Sequence, residues 1–152
     1  MKTLTKVWIV TLLFGILAFL TEPNGPLGRF WAPHPSIPPA TGAQLPLFML
    51  LGATEALAFG LGISFLVFGY STLKANVSVS PALGRTAHLS IVWLLASWWP
   101  HDSLHLHNGM NLSGLLAIEY AFHVTLIIAG VILARFFMIA VRAPGPRSAS
   151  AD

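Results

Sequence analysis

Cysteine is absent from all 152 residues. Its absence excludes disulfides, thiolate metal sites and cysteine-ligated iron–sulfur clusters. Any metal held by this chain must therefore be bound through nitrogen and oxygen. Charge is also scarce, at 9% Asp, Glu, Lys and Arg, too little to solvate a soluble domain of this size. H-E-x-x-H, Walker and dinucleotide-binding glycine patterns do not occur, so zinc-protease, P-loop and Rossmann chemistry have no foothold. No internal repeat or low-complexity tract is present.

What the chain has in abundance is apolar length. Hydrophobic residues make up 55% and the mean hydropathy is +0.75, the composition of an integral membrane protein. Four runs approach the roughly 20 residues needed to cross about 30 Å of hydrocarbon: about 4–21, 46–70, 81–99 and 112–141. The expected fold is all-α, a four-transmembrane-helix bundle forming a single membrane domain over residues 1–152. The opening MKTLTKVWIVTLLFGILAFL has a basic start and a short apolar core like a signal peptide. No A-x-A cleavage pattern follows it, so it is read as an uncleaved first helix.

The formal charge of +3 reports topology rather than nucleic-acid binding, because the basic residues stand singly near helix ends. With the N-terminus inside, Lys2, Lys6, Lys74, Arg85, Arg135, Arg142 and Arg147 all fall on the cytoplasmic side, and Arg29 alone lies outside. The expectation is N-in/C-in, in a plasma or inner membrane. The first outer connection is then long and rich in proline, with Pro23, Pro26, Pro33, Pro35, Pro38 and Pro39. Connections of this length are usually lids or tethers, and Phe30 and Trp31 suit a headgroup anchor.

Local signals agree with the helix assignment. Pro46 is favoured in a first helical turn, and Ser80–Pro81 reads as an N-cap followed by proline. Gly52, Ala56 and Gly60 form a small-residue stripe that lets another helix come close. Trp93, Trp98 and Trp99 mark the outer interface of the third run, and Asn111 or Ser113 can cap the fourth.

Ionisable residues inside such helices cost roughly 2.5–3.5 kcal/mol on insertion scales and usually find partners in the protein interior. Glu55 lies in the second run, and Glu119 with His123 in the fourth. Counting rise per residue, Glu55 and Glu119 fall roughly 13 and 12 Å below the outer ends of their helices. In an up-down bundle those two helices face one another across the core. His123, four residues after Glu119, shares its face. Two buried carboxylates need a metal, a shared proton or protonation of one of them.

The outer turn PHDSLHLHNGMN adds His101, His105 and His107. His101 and His105 share a face if the segment is helical, His105 and His107 if it is extended. These imidazoles are expected above Glu119, as ligands or as an access path, with Asp102 and Asn108 orienting the rings. Imidazole with carboxylate suits copper, iron, manganese or zinc. A haem held by His88 and His123, at matching depths, is a further arrangement.

Three readings follow. The first is a transition-metal site in the outer half, built from Glu55, Glu119, His123 and the outer histidines, for redox chemistry or metal handling. The second is a proton- or cation-translocating subunit. The third is an accessory subunit of a larger membrane complex, or a homo-oligomer, whose polar groups only join helices. All three place the chain in a lipid bilayer and none involves nucleic acid.

Overall fold

The computed structural model describes residues 3–142. Lys2 and Arg147, and the side chain of Arg142, which entered the charge argument, lie outside that description. The described residues form helices α1 (Thr3–Thr21), α2 (Gln44–Asn76), α3 (Pro81–Ala96), α4 (Trp98–Asn108), α5 (Leu112–Glu119) and α6 (Thr125–Arg142). A 3₁₀ turn, Gly28–Trp31, interrupts the long α1–α2 connection, and a π-helical turn, Tyr120–Val124, joins α5 to α6 without a break.

Among the described residues, three helices are long and apolar enough to cross a membrane: α1, α2 and the continuous α5–α6 helix. The third run is not among them. Its helix α3 has 16 residues, about 24 Å of rise, and carries Arg85, Thr86 and His88. It stops at Ala96 because Pro100 lacks an N–H and its ring would strike the carbonyl four residues back. The chain bends at Ser97 and starts again as α4, where Pro100 falls in the first turn and needs no N–H partner. The histidine-bearing segment expected as a turn is therefore a helix of 11 residues.

Helices pack as neighbours in a row: α1 on α2, α2 on α3, and α3 on α6, with α4 resting on α2. Thus α3 separates α2 from α5–α6, and the second and fourth apolar runs do not form the facing pair expected of a square bundle. Small residues make the contacts. A Cβ at Gly15 would press on the Ala56 carbonyl at 3.2 Å, and one at Gly60 would collide with the Thr11 carbonyl. The stripe on α2 is therefore the seat of α1. Large apolar side chains such as Ile9, Ile16, Val67, Ile127, Val131 and Phe137 point outward instead, a pattern that suits a hydrocarbon surrounding.

Polar contacts also lie inside this packing. Thr11 and Ser64, both fully buried, are 2.8 Å apart, and Ser64 donates to the Val7 carbonyl at 3.0 Å. His88 donates from Nε2 to the Phe65 carbonyl at 2.8 Å, its ring between those of Phe65 and Tyr70.

The long connection is docked rather than trailing. The His34 N–H donates to the Leu106 carbonyl at 2.9 Å, His107 donates from Nδ1 to the Ala32 carbonyl at 3.1 Å, and Trp31 sets its edge against Trp99. Trp99 in turn donates to the Ala18 carbonyl at the end of α1. Gly109, at φ +61°, ends α4 in a conformation other residues resist, and a Cβ there would meet the His34 ring. The connection thus lies along α4, on the side away from the Glu119 face.

Candidate metal centre

Helix α4 sets the site. Its 3.6-residue period puts His101 and His105 on one face, with ring centroids 4.5 Å apart and their Nε2 atoms at 3.1 Å. That face meets the start of the α5–α6 helix. Asn111 caps α5 by accepting from the Gly114 N–H, which fixes where the helix begins and hence the height of Glu119.

Glu119 is approached from two sides. His105 Nε2 lies 3.3 Å from Oε1, and His123 Nδ1 lies against Oε2 from one turn further on. His123 sits in the π-helical turn. Such turns carry an extra residue, re-aim side chains and occur frequently at functional sites. In the same turn Phe122 is buried, stacked on Trp93 at 5.4 Å and edge-on to His101 at 5.2 Å. With Phe122 wedged against α3 and α4, the His123 ring comes to 5.2 Å from that of His101.

One ligand atom each from His101, Glu119 and His123 lie within 4.8 Å of one another. Donors about 2.1 Å from a common ion are at most about 4.2 Å apart, so small side-chain rotations suffice to close the set. The tautomers fit as well. His101 Nδ1 donates to Asp102 Oδ1 at 2.8 Å, which leaves its Nε2 lone pair for His105 or for an ion. A carboxylate behind a ligating imidazole is the usual orienting device at metal sites.

The opening of the site is on the α5–α6 side. His101 is nearly enclosed, with 12% of its side chain exposed, whereas Glu119 and His123 are 42% and 50% exposed. A metal there would have protein donors on one side and room for further ligands on the other.

The remaining sequence candidates are placed differently. Glu55 stands on α2 with its carboxyl close enough to that of Asp102 to share a proton, and it is not one of the three clustered donors. His105 borders the cluster, hydrogen-bonded to His101 and with its Nε2 3.3 Å from Glu119 Oε1. His107 is turned to the connection and bonded to Ala32. His88 and His123 are held by separate partners, the Phe65 carbonyl and Glu119. Asn108 donates to the Asn111 carbonyl at 2.9 Å and so braces the α4–α5 corner rather than an imidazole.

Sequence reasoning missed Glu22. It follows α1 directly, is 5% exposed, and burial raises its carboxyl above the ordinary value by disfavouring the charged form. An acidic residue at the end of an apolar run reads as an interface residue, and nothing nearby in sequence signals that Gly52 leaves it a slot. The chain matches no protein-family model, no curated protein and no solved structure, so the functional argument rests on the geometry.

Proposed function

We propose that this is an integral membrane protein, N-in/C-in, that binds one transition-metal ion through His101, Glu119 and His123 for redox chemistry or metal handling. The observation that carries the reading is the convergence of two imidazoles and one carboxylate, from α4 and from the α5–α6 helix, within 4.8 Å. Two histidines with one carboxylate and open positions suit iron(II) or zinc, and imidazole-rich sites also take copper or manganese. When bound, such an ion supplies Lewis acidity or one-electron redox capacity. The chain's own residues do the rest. Asp102 orients His101, His105 braces Glu119 or joins the ligands, and Phe122 fixes the turn that carries His123.

The test is elemental analysis of the purified protein in detergent. About one metal per chain is expected, falling sharply in Glu119→Gln and His123→Ala while the helical circular dichroism persists. Unchanged metal content in both variants would overturn the proposal.

The accessory-subunit reading has its own support. Glu119 and His123 are half-exposed on a helix whose other outward residues, such as Ile127 and Val131, are apolar. Polar groups facing hydrocarbon are costly, and a neighbouring helix from a second copy or a larger complex would cover them. A metal-free protein that co-purifies with a stoichiometric partner, and loses it in Glu119→Leu, would favour that role over the first.

A further inference from the structure

On the other side of α4 from His123, a cavity of about 200 Å³ lies between α2, α4 and the segment that follows α1. Carboxyl groups reach it from three separate elements: Glu22 from that segment, Glu55 from α2 and Asp102 from α4. The remaining wall includes Trp99, Leu51 and His105. Glu55 and Asp102 face each other closely enough to share a proton, and Glu22 lines the same cavity. Carboxyl groups so placed repel one another unless a proton or a cation lies between them.

Glu22 supplies an observation independent of that pair. It is 95% buried, since only 5% of it is exposed, and its Oε1 has no hydrogen-bond partner. A buried polar atom left without a partner destabilises the fold, more so if charged, so this oxygen stands where a ligand would satisfy it. The slot that receives it is specific. A Cβ on Gly52 would collide with the Glu22 carboxylate, so only glycine at that position lets Glu22 lie against α2.

We propose that Glu22, Glu55 and Asp102 form a second cation site, distinct from the histidine site, that takes a hard divalent cation through carboxylate oxygens. Oxygen donors with water in the remaining positions match Mg²⁺, Ca²⁺ or Mn²⁺. A cavity of this size has room for an ion with several waters. The two sites share α4 as a wall, because Asp102 also accepts from His101 and His105 borders both. The proposal does not depend on the histidine site holding a metal.

Mn²⁺ is the probe. Metal-stripped full-length protein in detergent is titrated with Mn²⁺, free ion being read by electron paramagnetic resonance, and thermal unfolding is followed with and without the ion. His123→Ala, which leaves these carboxyls untouched, is expected to retain one Mn²⁺. Glu22→Gln and Glu55→Gln should each weaken that binding at least tenfold, and Gly52→Ala should do so by displacing Glu22. In His123→Ala, saturating Mn²⁺ should also raise the unfolding temperature, as any ligand of the folded state does. Loss of all Mn²⁺ binding in His123→Ala would overturn the proposal, because it would leave a single site. Binding unchanged in folded Glu22→Gln and Glu55→Gln would overturn it too. If those variants do not fold, His123→Ala alone decides: no bound Mn²⁺ and no Mn²⁺-dependent stabilisation would mean that the carboxyls share protons only.

Discussion

The polar groups inside α1, α2 and α3 and those around α4 obey opposite rules. Thr11, Ser64 and His88 are buried, and each bonds a neighbour on an adjacent helix. Around α4 stand four of the chain's five acidic residues, Glu22, Glu55, Asp102 and Glu119, with His101, His105 and His123. There the hydrogen bonds link only some of the available atoms, and the network remains half-open. A polar group saturated by one helix neighbour has done its work as glue. A cluster with spare lone pairs and unbalanced carboxylates has capacity left for a ligand.

The sharpest way to break this comparison is to remove donors from the open cluster. Glu119→Gln and His123→Ala are expected to reduce metal affinity by more than the 10–100-fold typical of losing an outer partner. His88→Ala is expected to leave metal content unchanged. Elemental analysis of the three purified variants checks both halves, and metal loss in His88→Ala would blur the distinction.

A finer test separates ligand from orienting group. Asp102→Asn keeps the shape beside His101 but weakens the hold on its Nδ1–H, so metal affinity should fall about 10–100-fold. The lost affinity should come with retained stoichiometry at saturating metal. Isothermal titration with Zn²⁺ distinguishes this from loss of the site itself.

How much of this was legible beforehand depended on what kind of interaction placed each residue. The three long apolar helices follow from hydropathy alone, and the Gly52, Ala56 and Gly60 stripe correctly signals close packing. Glu119, His123 and the His101/His105 spacing are visible because i,i+4 neighbours on a helix are local facts. The pairing of Glu55 was not legible. Matched depth suggested Glu119 as its partner, but α3 intervenes and Asp102 arrives from α4, and both depend on the bend at Ser97. The π-helical turn at Tyr120–Val124 has no sequence signature of its own. Glu22 was hidden because its burial depends on a slot 30 residues further along the chain.

On the saturated side, Ser64→Ala should behave as a purely structural change. Ser64 bonds both Thr11 and the Val7 carbonyl, so its removal takes the cross-helix partner from the buried Thr11 hydroxyl and leaves the Val7 carbonyl with its helical bond alone. A loss of about 1–3 kcal/mol is expected, read as a lower unfolding temperature in detergent with metal content intact. A fall in metal content would mean that the α1–α2 contact is coupled to the α4 end.

The smallest expected effect is a difference in pH dependence. Burial raises the Glu22 carboxyl above the ordinary carboxylate range, so the folded protein holds that proton more tightly than the unfolded chain does. Its contribution to stability is therefore full below the ordinary carboxylate value and is lost as pH rises through the raised one. Glu55, Asp102 and His105 face the same cavity, so the wild-type curve alone is not diagnostic. The difference between wild type and Glu22→Gln isolates the one carboxyl, because Gln fills the same slot beside Gly52 without ionising. In metal-stripped protein, wild type should lose stability relative to Glu22→Gln as pH rises above the ordinary carboxylate range. Saturating Mn²⁺ should shrink that gap, since an ion at the site favours the charged form. Parallel curves for the two proteins in the metal-free state would mean that Glu22 is solvated after all, and would place it with the ordinary interface residues.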